Sequence, residues 1–361
     1  MSSYSDFDKW KQLETKADKK QFDIDDLSIV LTEEKGMQPF FKHAINIGAS
    51  DIHMKNDLEI TFRVHGELIK VNDVKLTPDM LKFMAYQILP KDKHLEYERD
   101  GELDFTYSLP TGHRFRMSVY KDNSVDTIAA RLIAKDIPTM GDLNLPKVLY
   151  EFTKLHQGLV LVTGPTGSGK SSTLAAMVDH INTTMERHII TLEDPIEFIH
   201  PHKQSIISQR EVGRDTHSFS SGLKAALRQD PDILLVGELR DLETIQIAVT
   251  AAETGHVVFA TLHTSSAAST VDRIIDVFPA NQQMQIRTQL ANCLQGVVAQ
   301  RLFKNPKGEG RVAACEILVV DQSISNLIRS EKIHQIPTFI QTGKQKGMQT
   351  MEDDMREKGL L

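Results

Sequence analysis

The 361-residue sequence lacks the long apolar segments that mark membrane-spanning and secreted proteins. No apolar run approaches the ~18 to 20 residues that a membrane-spanning helix needs. The N-terminal stretch MSSYSDFDKWKQ has no apolar core of the kind found in secretion signals. We therefore expect a cytoplasmic protein without an integral membrane segment.

Cysteine is also scarce, which limits the possible covalent and metal chemistry. The two cysteines, Cys293 and Cys315, lie 22 positions apart and cannot form a C-x-x-C zinc or redox pair. Each is expected to be a small buried hydrophobe. We therefore do not expect a zinc site.

Basic charge and aromatic residues are too few for a nucleic-acid motor. The chain has 42 basic and 49 acidic residues, a net charge of -7, and 6% aromatic residues. A motor that tracks nucleic acid presents a basic groove with interleaved aromatic side chains. The composition, 40% hydrophobic and 25% charged, is instead that of a soluble globular chain with two or three domains and no nucleic-acid partner.

The sequence pattern predicts an extension, two domains and a linker. Residues 1–36 are polar and dense in charge, which indicates an N-terminal extension. Helical and alternating patterns over residues 37–135 predict a small α+β domain. Residues 136–145 contain Pro138 and Gly141 and are expected to form a linker.

Strand and helix patterns alternate through the second domain, residues 146–361. This order predicts an α/β fold with a parallel sheet covered by helices on both faces. The predicted strands are 159–163, 188–192, 233–236 and 257–261, and the predicted helices include 171–183, 219–229, 242–254, 267–277 and 282–300. In the last helix, a spacing near 3.6 predicts core packing for Met284, Ile286, Leu290, Leu294 and Val297.

Residues 164–171 match the phosphate-loop pattern G-x-x-x-x-G-K-[ST] between a predicted strand and a predicted helix. In such a loop the glycines let backbone N–H groups converge on the β-phosphate, and the lysine bridges the β- and γ-phosphates. Ser171 is the predicted Mg2+ ligand of the loop. The predicted nucleotide-binding residues are Gly164, Pro165, Thr166, Gly167, Ser168, Gly169, Lys170, Ser171 and Ser172. The motif predicts binding of ATP with Mg2+.

A glutamate follows the predicted strand 233–236 after one glycine. Glu238 would there polarise the attacking water and contribute to the Mg2+ site. A glutamate at a strand end is more often simply solvated when it occurs alone, but a phosphate loop in the same domain reverses that balance. We predict that Glu238 is the general base.

A second acidic strand end occurs where Pro195 forces the chain out of the strand 188–192. Because the carboxyl ends of parallel strands form the ligand crevice, Glu193 or Asp194 is expected to position Mg2+ or water. Glu193 is the predicted catalytic residue of the two. A helix-capping or turn role for Asp194 is the alternative.

Two histidines, His256 and His263, flank the predicted strand 257–261. Isolated histidine pairs of this kind are usually structural, and no further ligand at a suitable spacing supports zinc. This strand follows the Glu238 strand by one helix and is a plausible neighbour in the sheet. We therefore predict catalytic roles for both, with His263 contacting the γ-phosphate and reporting its hydrolysis.

Taken together, the motifs resemble those of the secretion ATPase superfamily of type II secretion and type IV pili, over residues 37–352. The matching segments are the phosphate loop 164–171, the acidic box Thr191–Phe198, the signature Leu227–Asp241 and the histidine box 254–264. Segments 324–329 and 347–352 resemble motifs of the pilus retraction (twitching motility) branch.

The resemblance implies an N-terminal PAS-like domain and a RecA-like ATPase domain, assembled as a homohexamer with nucleotide between the domains. It also implies a peripheral location at the cytoplasmic face of the inner membrane, with a platform protein and the pilus machinery as partners. Arg116 and Arg131 match two family arginines that approach the phosphates. From the residues alone, arginines on strands are expected on a solvated face.

Three alternatives to a retraction ATPase remain. Pilus-assembly and type II secretion relatives usually carry a larger N-terminal region and a four-cysteine zinc module, and this chain has neither. A RecA-like nucleic-acid motor conflicts with the charge and aromatic content. A regulatory subunit with little turnover conflicts with Lys170 and Glu238, which together predict hydrolysis.

Overall fold

A computed structural model describes residues 37–64, 66–133, 136–306, 308 and 310–361. The extension predicted at 1–36 lies outside the described residues. The chain divides into two compact units between residues 135 and 136. Within the described ranges, none of the helices has both the length and the apolar character needed to cross a membrane.

The N-terminal unit is built on six antiparallel strands in the order β3-β2-β1-β6-β5-β4. Its elements are α1 Gln38–Asn46, β1 Ala49–Met54, β2 Glu59–Val64, β3 Glu67–Lys75, α2 Pro78–Ile88, α3 His94–Asp100, β4 Glu102–Ser108, β5 Arg114–Asp122 and β6 Val125–Ile133. One face of the sheet is buried. Aligned residues of neighbouring strands on this face, namely Phe62, Ile52, Ala130 and Met117, are each at most 2% exposed. This confirms the predicted α+β class of the first domain.

The C-terminal unit contains a seven-stranded sheet in the order β13-β12-β7-β11-β10-β8-β9. Its elements are α4 Val148–Phe152, β7 Gly158–Thr163, α5 Lys170–Thr184, β8 His188–Glu193, β9 Ile206–Glu211, α6 Phe219–Ala226, β10 Ile233–Val236, α7 Leu242–Glu253, β11 Val257–Leu262, α8 Ala267–Asp276, α9 Ala280–Cys293, β12 Leu294–Lys304, β13 Arg311–Val319, α10 Gln322–Arg329, α11 Ile336–Thr342 and α12 Met351–Glu357. The six neighbouring strands β12, β7, β11, β10, β8 and β9 are parallel to one another, and β13 pairs antiparallel to β12 at the edge of the sheet.

Both faces of this sheet are covered by helices, as predicted. Leu159 and Leu161 of β7 face the core formed with α6 to α11, whereas Val160 and Val162 face α4 and α5. Alternate residues of one strand therefore enter two different cores, which explains why β7 is apolar at successive positions. Cys293 and Cys315 are buried and unpaired, as predicted, and burial raises the pKa of each thiol to about 12.

The predicted helix 282–300 is wrong over its last seven residues. Helix α9 ends at Cys293 and β12 begins at the next residue. Leu294 and Val297 are buried strand residues, and Met284 is 78% exposed and outside the core. A short buried strand has a continuous apolar pattern that periodicity alone does not separate from a helix. Strands β9 and β13 were not predicted.

Candidate functional site

The phosphate-loop residues occupy the turn between β7 and α5, at the carboxyl end of the parallel strands. Gly164, Gly167 and Gly169 have φ of +145°, +77° and +87°, backbone conformations that side chains with a Cβ rarely adopt. Thr173 N donates to Gly169 O at 3.0 Å and begins the helical ladder. The loop is therefore a tight, glycine-dependent turn that opens at a helix N-terminus, where backbone donors favour anions.

Gly164 is tightly enclosed, and this gives a prediction for stability. A Cβ at residue 164 would lie 2.2 Å from the Gln300 carbonyl oxygen, whereas a Cβ at Gly167 would meet nothing within 4 Å. We expect Gly164→Ala to lower the free energy of unfolding by about 3 kcal/mol, from clash plus backbone strain. Gly167→Ala, the matched control, carries the strain alone and should cost about 1 kcal/mol. Urea denaturation of both variants measures the two losses in free energy of unfolding. Equal losses in Gly164→Ala and Gly167→Ala would contradict the prediction.

Lys170 is the first residue of α5, and its ammonium closes the loop. Its Nζ donates to the carbonyls of Gly164 at 2.8 Å and Pro165 at 3.2 Å. Burial lowers the pKa of Lys170, and the nearby carboxylates of Glu238 and Glu197 oppose that fall. A half-buried cation held by neutral carbonyls would gain from an anion, which fits a phosphate at this position.

Glu238 lies just after β10, between the ends of two neighbouring strands. Gly237 N donates to Leu192 O at 2.7 Å, and Leu239 N donates to Thr261 O at 3.0 Å. These bonds hold residue 238 at the carboxyl edge of the sheet, where its side chain is 20% exposed. The Glu238 carboxylate therefore lies at the same edge of the sheet as the phosphate loop.

An arginine and a histidine contact the Glu238 carboxylate. Arg240 Nε donates to Oε2 at 2.8 Å, and His263 Nε2 lies 3.1 Å from Oε1. Arg240 Nη1 also lies 3.6 Å from Asp194 Oδ2, so the guanidinium connects two acidic strand ends. Arg240 was not predicted as a site residue, although it stands two residues after Glu238 in the signature Leu227–Asp241.

The structure brings His263 to this site but not His256. His263 follows β11 at the carboxyl edge, whereas His256 precedes β11 at the opposite edge. A six-residue strand separates the two by ~20 Å. His256 Nδ1 lies 3.0 Å from Ala251 O in the last turn of α7, and the His256 carbonyl accepts a bond from Gly158 N. The location of His256 at the opposite edge of the sheet therefore does not support its predicted catalytic role.

Glu193 ends β8 with its carboxylate turned into the protein. Oε1 accepts bonds from Thr191 Oγ1 at 2.6 Å and Gln209 Nε2 at 3.1 Å. Burial raises the pKa of Glu193, and the hydrogen bonds from Thr191, Gln209 and the Glu197 backbone oppose that rise, whereas the negative charge of Glu197 adds to it. Buried acids with a raised pKa are typical of functional sites. Gln209 and Glu197 are two further residues near this site that were not predicted from the sequence.

Neutralising Glu193 should stabilise the protein. The folded state binds the Glu193 proton more tightly than the unfolded state, so ionisation disfavours folding as the pH rises above the ordinary value of 4.5. Glu193→Gln keeps an oxygen that accepts the bonds from Thr191 and Gln209. We expect the variant to melt higher than the parent near neutral pH, with a difference that shrinks toward pH 4.5. Thermal melts across pH, with the exposed Glu186→Gln as control, check this, and a constant or inverted difference would contradict it.

The predicted arginines lie in the N-terminal unit, on the exposed face of its sheet. Arg116 of β5 and Arg131 of β6 are directly opposite each other. Arg131 Nε donates to Asp51 Oδ1 at 2.7 Å, and Arg63 Nε lies 4.0 Å from the other oxygen of the same carboxylate. Arg63, Asp51, Arg131 and Arg116 thus form one row of charged side chains across four strands.

Chemically, the C-terminal unit combines an anion cradle with a carboxylate at one edge of a parallel sheet. Backbone donors and Lys170 suit the phosphates of a nucleotide. The Ser171 hydroxyl and Glu238 supply oxygen atoms, the donor type that Mg2+ prefers. This donor set fits a magnesium–nucleotide complex.

Comparisons with known proteins agree with this geometry. A family model described as type II/IV secretion system protein matches residues 31–359. The type IV pilus retraction ATPase PilT of Pseudomonas aeruginosa is 48% identical over 314 residues, 87% of this chain and 90% of that protein. A twitching motility protein of Neisseria gonorrhoeae is 45% identical over 294 residues, 81% of this chain and 79% of the relative. The crystal structure of the pilus retraction motor PilT with bound ADP is similar with a TM-score of 0.82 at 42% identity, covering 89% of this chain and 92% of that one.

Proposed function

Because the chain belongs to the type II/IV secretion system protein family, we propose that it is a hexameric ATPase that uses ATP hydrolysis to retract type IV pili. The family membership confirms the resemblance predicted from the four sequence motifs. The retraction assignment is supported by relatives of this function that match over most of both chains. Support for nucleotide binding also comes from the similar retraction motor, which holds ADP.

The observation that carries the enzymatic part is the convergence of Lys170, Glu238 and His263 at one edge of the sheet. Lys170 and the loop N–H groups bind the β- and γ-phosphates. Glu238 accepts a proton from the attacking water and orients it, which is the task of a general base. When bound, Mg2+ neutralises phosphate charge, and Ser171 and Glu238 are the residues that would hold it.

His263 and Arg240 contact Glu238 and would respond to changes at the γ-phosphate. His263 is proposed to contact that phosphate and report its loss. His256 holds the end of α7 before β11, so its proposed contribution is to position β11 and, through it, His263. Glu193 is proposed to help place water or Mg2+ from the neighbouring strand end.

The N-terminal unit is proposed to supply Arg116 and Arg131 to the phosphates. Arginines at a transferring phosphate stabilise the charge of the transition state. Their exposure on one sheet face supports this, because their side chains are not used in the core. Movement of the domains would then act on an inner-membrane platform protein of the pilus machinery, with the hexamer peripheral to the cytoplasmic face.

Three experiments test the proposal. Purified protein with Mg2+ and ATP should release phosphate, and absence of turnover would contradict the enzymatic assignment. Cells that lack the gene should keep or over-produce pili and lose twitching motility if the motor retracts pili. Loss of pili in those cells would instead identify an assembly ATPase. Stimulation by single-stranded DNA, with none by pilus components, would favour a nucleic-acid motor.

A further inference from the structure

Gln300 lies directly behind the phosphate loop, in the strand that sequence periodicity assigns wrongly to a helix. Strand β12 runs parallel to β7, and their last aligned pair is Ala299 with Thr163. Gln300 is therefore placed beside Gly164, where the loop begins. Its side chain belongs to the protein interior, because Gln300 is only 2% exposed.

The amide of Gln300 joins the loop to the first turn of α5. Nε2 donates to the Ser168 carbonyl at 2.7 Å, and Oε1 accepts from Thr173 Oγ1 at 2.7 Å. A Cβ added at Gly169 would lie 2.8 Å from Nε2. The contact is thus direct and close, and both ends of the buried amide are satisfied by the phosphate-loop segment.

This contact fixes the direction of a backbone donor. The peptide between Ser168 and Gly169 is planar and trans, so its carbonyl and its N–H point in opposite directions. With the carbonyl held against Gln300, the Gly169 N–H must point away from β12. That N–H stands at the N-terminus of α5, where backbone donors have no intrahelical partner and collect anions.

We propose that Gln300 is a positioning residue that holds the phosphate loop in its anion-binding conformation. Gln300 acts on the nucleotide through the Ser168–Gly169 peptide and does not touch it. The inference rests on the proposed function, because it concerns nucleotide bound at residues 164–171. It predicts that loss of the amide weakens binding of the phosphate groups beyond any general loss of stability.

A pair of matched variants tests this. Gln300→Met removes the amide at nearly constant volume. Asn182→Leu is the control, because Asn182 is also fully buried, and its amide also holds backbone groups, Pro201 O at 2.7 Å and Lys203 N at 3.1 Å. Asn182 lies in the last part of α5, far along the helix from the loop. Calorimetric titration with ADP should show about tenfold weaker binding for Gln300→Met and wild-type affinity for Asn182→Leu.

A second variant supplies a readout that a purely structural role would not move. In Gln300→Glu, only the protonated carboxyl can donate to the Ser168 carbonyl, and burial favours that form. The ADP dissociation constant of Gln300→Glu relative to wild type should therefore rise as the pH increases from about 6 to 8.

The outcomes of these experiments distinguish failure of the positioning role of Gln300 from failure of the proposed ATPase function. Wild-type ADP affinity in Gln300→Met overturns the positioning role, and so does an equal loss in Asn182→Leu, because the effect would then be general destabilisation. A pH-independent ratio for Gln300→Glu also contradicts it. A wild-type protein that binds no ADP at all contradicts the proposed function itself.

Discussion

Glu238→Gln is expected to slow ATP hydrolysis by about 100-fold or more while leaving ADP binding intact. The physical reason is that an amide has the shape of the carboxylate but cannot accept a proton from water, and a general base contributes about 10²–10⁴ to the rate. The carboxylate lies at the sheet edge with His263 and Arg240 on its two oxygens. Phosphate release at saturating ATP measures the effect.

The control for Glu238→Gln is Glu243→Gln. Glu243 is an exposed carboxylate in the first turn of α7, paired with Lys224, and loss of such a surface pair changes little. This control should hydrolyse ATP at the wild-type rate. Equal turnover in Glu238→Gln and the wild type would remove Glu238 from the mechanism, and loss of ADP binding would show that the substitution disturbs the site more widely.

Lys170→Met should abolish measurable nucleotide binding while leaving the ligand-free fold intact. Two charge-assisted bonds to phosphate, each worth about 2 kcal/mol, correspond to an affinity loss of more than about 100-fold. In the ligand-free protein, burial of the charged lysine is a cost that offsets its bonds to the Gly164 and Pro165 carbonyls. The melting temperature without nucleotide should therefore stay close to that of the wild type.

The measurement for Lys170→Met is the increase in melting temperature caused by ADP or ATP with Mg2+. Wild type should show a clear increase and Lys170→Met none. Lys154→Met is the control, since Lys154 forms an exposed pair with Glu151 and should retain the full ligand effect. A ligand-induced shift of wild-type size in Lys170→Met would contradict the assignment of the phosphate site.

The features predicted correctly from the sequence are those with strong local signals. The phosphate loop has glycines and a lysine at fixed spacing, and the buried strand before it contains successive apolar residues. The fold class followed from the alternation of strands and helices. The placement of His263 beside Glu238 followed from the order of their strands, which the sheet pairing confirms.

What was missed depends on contacts between distant segments. Gln300 meets the phosphate loop 132 positions away, and no local pattern in β12 indicates this contact. Gln209 reaches Glu193 from β9, a strand whose sequence IISQRE lacks the apolar–polar alternation that marks a strand. His256 is close to His263 in sequence but lies at the opposite end of β11, so a catalytic contribution from His256 stays a prediction that acts through this strand.

The position of β11 between β7 and β10 sets the width of the reaction space. Neighbouring strands lie about 4.8 Å apart, so the ends of β7 and β10 are separated by about 10 Å. If β7 and β10 were adjacent, their ends would be only half as far apart. That distance is too short for a phosphoryl group with a water molecule behind it. The intervening strand is thus a spacer, and it places His263 within the gap that it creates.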